Sequence, residues 1–196
     1  MAENRPKEER RRTIIEAAVA EFLENDFEKT SIDSISKRAG LSKGGFYHHF
    51  KNKEEILLAV NYHFLKPVYE LIEKAKLNSN PVQALKIFIN DYLNYWSTHT
   101  RELECFILTI SKMIMQKEKW KEITEYSKKM TSFYESLFIK GIISGKLLKH
   151  DPKSRAVSLF SSLQGITVFL VMNENFETEH AAKNLISVFV DEIIKQ

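Results

Sequence analysis

Residues 35–50 read Ile35-Ser36-Lys37-Arg38-Ala39-Gly40-Leu41-Ser42-Lys43-Gly44-Gly45-Phe46-Tyr47-His48-His49-Phe50, and this stretch decides the fold. Its pattern predicts a helix, a tight turn at glycine and a second short helix, with cations and aromatic rings on the exposed side. The surrounding segment, Ser34 to Lys53, carries five cations and no acid. Two helices joined by a short glycine-containing turn form the unit that places its second helix in the DNA major groove.

The whole chain has the composition of a globular, all-α protein. It has 196 residues, of which 43% are hydrophobic and 28% charged, with only six Gly and four Pro. Because helix breakers are so sparse and apolar residues recur at helical spacing, we expect about nine helices and no strands. The single Cys105 excludes an internal disulfide and is typical of a reducing cytoplasm, where we expect the protein to act.

Two further classes of protein are not expected from the sequence. No apolar run approaches the roughly 18 residues that a membrane span requires, so we expect no membrane partner. The N-terminus is charged and lacks an apolar core, so a signal peptide is not expected either.

The charge is balanced in number but uneven in position. Residues 1–60 hold eleven Lys and Arg and eleven Asp and Glu. The acids are concentrated on the first predicted helix, whereas the cations occupy the N-terminal arm and the segment Ser34 to Lys53. A folded domain with this layout can present one basic face despite its zero net charge.

Capping residues set the expected helix boundaries. Thr30 or Ser31 is predicted to cap the second helix and Ser42 the third. Gly40 suits the left-handed conformation after a helix end, and Asp151-Pro152 is a cap followed by proline at the first helical position. We expect helices at about residues 8–24, 31–39, 43–50, 53–77, 81–98, 100–115, 117–145, 152–173 and 178–195.

The pattern Thr30…Ile35-Ser36-x-x-Ala39-Gly40-Leu41-Ser42-Lys43-Gly44-x-x-Tyr47-x-His49-Phe50-x-x-Lys53-Glu54 closely resembles the tetracycline-repressor (TetR) family of bacterial transcription regulators. Beyond the first 60 residues the resemblance is architectural only. It implies a helix-turn-helix DNA-binding domain over residues 1–52, with its motif at about 31–50. It also implies a ligand-binding and dimerisation domain over residues 53–196, connected through the fourth helix.

The resemblance implies that the short third helix enters the major groove of a palindromic, double-stranded operator bound by a dimer. Lys43 can donate to guanine O6 or N7, and Gly44 lets the backbone approach closely. Gly45 departs from the Thr, Ser or Asn that is common there, and two glycines lower helix propensity by roughly 1 kcal/mol each. The predicted DNA-contacting residues are Thr30, Ser42, Lys43, Gly44, Gly45, Tyr47, His48, His49 and Lys53.

The resemblance also implies a small, largely apolar or aromatic effector bound among the C-terminal helices. The aromatic residues predicted to line its pocket are Tyr92, Trp96, Phe106, Phe133 and Phe138; the alternative is that they are simply core. Asn94, His99 and Gln164 are polar candidates to orient it. Small and apolar residues of the eighth and ninth helices are predicted to form the homodimer interface: Ser158, Ser161, Ser162, Gly165, Phe169 and Phe189.

The function expected from these features is ligand-responsive transcription regulation, most often repression in this family. The alternative is a helical small-molecule-binding or interaction protein that no longer reads a specific operator. An enzyme is not expected, because the chain has no Gly-rich phosphate loop and Cys105 lies in an apolar stretch, where an inert thiol is typical. The paired histidines have no second ligand cluster at metal spacing, so we expect neither a metal nor a cofactor.

Overall fold

The computed structural model describes residues 7–173 and 175–195, and its regular elements over those ranges are helices without β-strands. The all-α prediction with nine α-helices is therefore confirmed. Two short 3-10 helices, Lys117–Lys119 and Asp191–Ile193, precede α7 and follow α9. The α-helices are α1 (Lys7–Asn25), α2 (Ile32–Arg38), α3 (Lys43–Tyr47), α4 (Lys53–Lys76), α5 (Pro81–Thr98), α6 (Thr100–Ile114), α7 (Trp120–Ile143), α8 (Pro152–Met172) and α9 (Thr178–Phe189).

The chain divides into two compact units, Met1–Lys66 and Pro67–Gln196. In the described part of the first unit, α1, α2, α3 and the first half of α4 enclose a small apolar core. Ile14, Ile35 and Phe46 are fully buried there, one from each of the first three helices. The two packing units therefore meet further along the chain than residue 52, where the DNA-binding domain is predicted to end. The functional division at residue 52 stays a prediction.

The caps of the first unit explain where its helices begin. Ser31, rather than Thr30, caps α2, and its hydroxyl accepts from the Ser34 amide while the Ser34 hydroxyl accepts from the Ser31 amide. Such a reciprocal pair satisfies two of the donors that a helix leaves open at its start. Ser42 caps α3 by accepting from the Gly45 amide, and Gly40 takes the left-handed conformation with φ of 67°. Both of these assignments were predicted.

Two helices end at least three residues before their patterns predicted. α3 ends at Tyr47 instead of Phe50, since His48 already closes it as the C-cap. α9 ends at Phe189 instead of Lys195, because the chain beyond it bonds to the segment between α7 and α8. The Leu148 amide donates to the Ile193 carbonyl at 2.8 Å, and the Lys195 amide donates to the Lys146 carbonyl at 3.0 Å.

The second unit is built on α5, α7 and α8, with α6 and α9 packed against them. α5 and α8 begin as predicted, with Asn80 and Asp151 as caps and proline at the first helical position. The Asp151 carboxylate accepts from the amides of Lys153 and Ser154. Gly141 of α7 lies so close to Leu147 that an added Cβ would stand 2.4 Å from a Leu147 methyl carbon.

The helix α8 differs from expectation in its hydropathy. By length and composition alone it is apolar enough to cross a membrane, so the statement that no apolar run approaches that length was wrong. Core helices of globular proteins can be equally apolar, but only 28% of the apolar stretch of α8 is buried. The apolar residues of α8 therefore serve two purposes, because one set enters the core and another lies on the surface.

Candidate functional site

The turn between α2 and α3 is fixed by backbone bonds and by the core beneath it. The Leu41 amide donates to the Ser36 carbonyl at 2.9 Å, which closes the turn after Gly40. Phe46 is fully buried and anchors α3 from below. Because Phe46 occupies the inner side of this five-residue helix, the outer side carries Lys43, Gly44 and Tyr47, all of which are exposed.

Lys43, the first residue of α3, pairs with Asp33 in the first turn of α2. Its ammonium nitrogen lies 3.0 Å from one carboxylate oxygen and 3.2 Å from the other. Both side chains are mostly exposed, at 58% and 66%. The hydrogen bond and charge of Asp33 raise the pKa of Lys43, so the ammonium stays charged at neutral pH.

The two glycines of α3 are not demanded by the fold. A Cβ added at Gly44 would meet only Ser42 Oγ, at 3.9 Å, and one at Gly45 would meet its nearest atoms at 3.6 Å. These are ordinary van der Waals distances. The surface above Gly44 is therefore open, which allows another molecule to approach the backbone closely.

The remaining predicted contact residues, in α3 and just after it, differ in exposure. Tyr47 is 47% exposed, with its ring edge-on to Phe46 at 5.8 Å, and His48 is exposed. His49 is only partly exposed, and its buried Nδ1 has no hydrogen-bond partner. Burial, followed by the positive charge of Lys7, lowers the pKa of His49, which is therefore neutral at neutral pH.

Thr30 and Lys53 are the predicted contact residues outside the segment 42–49, and the structure places them differently. Thr30 is buried, and its hydroxyl lies 2.8 Å from the Asp26 carbonyl and 3.1 Å from that of Glu21. This hydroxyl serves the fold and does not lie on the exposed side. The Lys53 ammonium donates to the Glu28 carbonyl at 3.3 Å and lies over the Phe27 ring.

Two features of this surface were missed by the sequence analysis. One is Asp33, whose contact with Lys43 joins residues ten positions apart on two helices and leaves no local signal. The other is the role of Arg38, which was counted only as a surface cation. Its guanidinium bonds to the carboxylates of Glu21 and Glu24 on α1.

The second unit contains a cluster of buried rings, which we call the aromatic cluster. Its members are linked through edge-on and stacked contacts at centroid distances from 4.9 to 6.4 Å. Four of the five predicted pocket residues belong to it, whereas the ring contact of Phe138 is with His150. The aromatic cluster comprises Phe88, Tyr92, Trp96, Phe106, Tyr126, Phe133 and Tyr134.

Polar atoms inside the aromatic cluster are incompletely bonded. The Gln164 amide donates to the Tyr92 hydroxyl at 3.0 Å. Trp96 Nε1 and the hydroxyls of Tyr126 and Tyr134 are buried without a hydrogen-bond partner. Burial raises the pKa of Tyr92 to about 12 and raises that of Tyr134 well above its ordinary value, so both phenols are neutral. Unpaired buried polar groups are rare and point to a missing partner.

The predicted polar and interface residues also have distinct positions. Asn94 is exposed, and His99 stacks on Tyr95 at 4.5 Å, so Gln164 is the predicted polar residue that reaches the cluster. On α8 the predicted interface residues form an exposed stripe, with Phe169 57% exposed, and Ser162 and Phe189 are half-buried. Beside this stripe is a groove of about 380 Å³, whose lining includes Ile166, Phe169, Phe176, His180, Ala181 and Leu185.

No group of three or more His, Cys, Asp or Glu side chains is placed to hold a metal ion within residues 7–173 and 175–195. The surface at α2 and α3 is instead a small assembly of exposed donors, one carboxylate and one aromatic ring. Such an assembly can bind phosphates and base edges.

The profile of the family described as "Bacterial regulatory proteins, tetR family" matches residues 14–60, which span α1, α2, α3 and the start of α4. Residues 14–60 therefore belong to the tetR family. Alignments with relatives extend beyond the matched segment. The Transposon Tn10 TetC protein of Escherichia coli is 33% identical over 91 residues, or 46% of each chain. The chain thus aligns with about half the length of that relative.

A second relative aligns over most of both chains. The fatty acid metabolism regulator protein of Bacillus subtilis is 26% identical over 180 residues, covering 89% of this chain and 88% of that protein. Among solved structures, the transcriptional regulator FadR from Bacillus subtilis in complex with stearoyl-CoA has a TM-score of 0.76. It is 22% identical, over 93% of this chain and 98% of the other. At that identity the likeness establishes the fold.

Proposed function

We propose that this tetR-family member is a ligand-responsive transcription regulator acting in the cytoplasm. As a homodimer it binds a palindromic operator through α3, represses transcription, and is released by a small, largely apolar effector. The observation that carries this proposal is the exposed outer side of α3. Lys43, Gly44 and Tyr47 together offer a cation, an open backbone and an aromatic hydroxyl on one surface.

The chemistry of that surface suits DNA on two counts. A lysine at the start of a recognition helix is placed to donate to guanine in the major groove. The exposed Tyr47 hydroxyl and the Lys53 ammonium are suited to phosphate oxygens, which fix position without reading sequence. The openness above Gly44 supports close approach, since nothing inside the protein requires glycine there.

The effector is proposed to enter the aromatic cluster. Its rings offer an apolar surface, and the unpaired hydroxyls of Tyr126 and Tyr134 and the Trp96 N–H offer neutral donors. Because these side chains are uncharged, the buried part of the effector should be uncharged and should carry a hydrogen-bond acceptor. A long-chain acyl-CoA is a reasonable first compound to test, given the relatives named for fatty acid metabolism and stearoyl-CoA.

The dimer is proposed to form through α8 and α9. Ser158, Ser161 and Gly165 leave room for a partner helix, while the exposed Phe169 ring offers apolar area to bury. Paired helices from two subunits would form a bundle with twofold symmetry. Effector binding would then act through α4, which is continuous from Lys53 to Lys76, and a coupling of about 1–3 kcal/mol is ordinary for such regulators.

The test is a fluorescence anisotropy titration with DNA from immediately upstream of the gene and with unrelated DNA, each over a salt series. Lys43→Ala should weaken binding to the upstream DNA selectively. Lys29→Ala is the matched control, because it removes the same charge from an exposed ion pair of the first unit. Addition of an effector should release the upstream DNA.

Equal, salt-sensitive binding to both DNAs would count against the proposal, because it would show only phosphate attraction. That result would favour the alternative function, a helical small-molecule-binding or interaction protein that no longer reads a specific operator. The occupied ammonium of Lys43 and the two glycines of α3 are the observations that favour that alternative.

A further inference from the structure

We propose that Asp33 and Lys43 act together to read a single G·C base pair in each operator half-site. Lys43 donates to the guanine while Asp33 accepts from the cytosine of the same pair. This inference rests on the proposed function, since it concerns how the operator is read. It makes Asp33, which the family pattern does not mark, a residue that determines sequence specificity.

The first argument is position. Residues at the N-terminal end of a recognition helix contact base edges, and Lys43 is the first residue of α3. Its ammonium lies 3.0 Å from the nearer Asp33 oxygen, so the carboxylate and the ammonium are adjacent on the surface. If α3 docks so that Lys43 reaches a base edge, Asp33 also comes within reach of the neighbouring base edge.

The second argument is the match of donors and acceptors. In the major groove, guanine presents the acceptors N7 and O6, and cytosine presents the N4 amino donor beside them. The O6 acceptor and N4 donor of one pair are joined by a hydrogen bond and so lie about 3 Å apart. The Lys43 ammonium and the Asp33 carboxylate are separated by the same distance. The ammonium can therefore donate to guanine O6 while the carboxylate accepts from cytosine N4.

The third argument is that both side chains stay accessible while paired. They are 58% and 66% exposed, so each retains hydrogen-bonding capacity toward solvent. An ammonium has three donors, and a carboxylate accepts at two oxygens. The pair can therefore remain intact on DNA, which avoids exposing an isolated carboxylate to the phosphates.

The competing explanation is structural. An acid in the first turn of α2 is favoured by the helix dipole, and an exposed pair between α2 and α3 could merely steady the turn. That role predicts a change in stability without any change in which bases are preferred. The two explanations therefore differ in a measurable way.

The experiment selects bound sequences from a randomised duplex with the full-length protein, followed by anisotropy on single-base variants of the selected site. Asp33→Ala and Asp33→Asn should both lower the preference for G·C at one position per half-site by at least about fivefold, the lower end of one base contact. Lys43→Met should relax the same position. Asp26→Asn is the matched control, because it removes the same charge from the exposed pair with Lys29.

Loss of one acid near the phosphates should raise affinity for all sequences in the Asp33 variants, so the readout is the base preference and not the affinity. Thermal melting of each variant reports whether it is folded, and Asp33→Asn keeps the side-chain shape if Asp33→Ala is unstable. An unchanged base preference in both Asp33 variants would overturn the inference while leaving the regulator intact. A wild-type protein without any sequence selectivity would overturn the proposed function, and this inference with it.

Discussion

The Arg38 guanidinium lies against the carboxylate of Glu21, with Nε 2.7 Å from Oε1, and thereby joins the end of α2 to α1. The Glu21 side chain is only 9% exposed, so its charge is poorly solvated without this partner. A second carboxylate, that of Glu24, accepts from the other side of the guanidinium at 2.8 Å. Arg38 therefore helps to hold the helix that precedes α3 against α1.

Replacing Arg38 with methionine should destabilise the first unit. The change leaves the buried Glu21 carboxylate without its charged partner and with only the Asn25 amide as a donor, which is more harmful than loss of a surface pair. We expect the melting temperature, followed by circular dichroism, to fall by roughly 5 °C. Lys29→Met is the control, because its pair with Asp26 is exposed on both sides. Equal changes in melting temperature in the two variants would show that Arg38 stabilises the first unit no more than an exposed ion pair does.

Introducing a charge at Phe169 should dissociate the proposed dimer. The Phe169 ring is 57% exposed on α8, and an aspartate there would place two like charges in an apolar interface near the twofold axis. Phe169→Asp should elute as a monomer in size-exclusion chromatography with light scattering. Met115→Asp, at a residue that is 86% exposed on another helix end, should remain a dimer. Dimers in both variants would place the interface elsewhere.

Replacing either of two tyrosines of the aromatic cluster with phenylalanine should change the free energy of unfolding, in opposite directions for the two positions. Tyr134→Phe removes a buried hydroxyl that has no partner, so it should stabilise the free protein by about 1 kcal/mol. Tyr92→Phe removes the acceptor of the Gln164 amide and should destabilise by about the same amount. Urea unfolding measures both. If an effector uses the Tyr134 hydroxyl, Tyr134→Phe should also weaken its binding, and stabilisation without any loss of affinity would exclude that hydroxyl from the contact.

Cys105 should be chemically silent in the folded protein. Burial raises the pKa of its thiol from 9.0 to about 11, so the reactive thiolate is scarce at pH 8. A thiol reagent should therefore react slowly with native protein and rapidly in denaturant. The folded state binds the thiol proton more tightly than the unfolded state does. The contribution of Cys105 to the free energy of unfolding is therefore complete below pH 9 and is lost as the pH rises toward 11. Fast native labelling at pH 8 would contradict this assignment.

Most helix boundaries could be predicted because local chemistry sets them. Ser42, Asn80 and Asp151 each cap a helix through their own side chains, and Gly40 ends the α2 turn through its own backbone. The end of α9 could not be predicted in this way. It depends on hydrogen bonds to residues 146–148, which are distant in sequence and leave no local pattern.

The candidate site also has a part that the sequence predicts and a part that it does not. The exposure of Lys43, Gly44 and Tyr47 follows from helical spacing around the buried Phe46, and a single sequence is enough to infer it. The burial of Thr30 beneath the end of α1 and the pairing of Asp33 with Lys43 required the tertiary structure. Both depend on how one helix is placed against another, which local spacing does not encode.

The bonds between residues 146–148 and 193–195 also constrain the order of events during biosynthesis. A ribosome delivers residues 146–148 first, and their partners emerge only after α8 and α9 have both been made. The first unit depends on contacts within its own stretch of chain and can fold while the rest is still being translated. The second unit can therefore complete its hydrogen bonds only after residues 193–195 have been made, so α8 is synthesised before the packing around it can be finished.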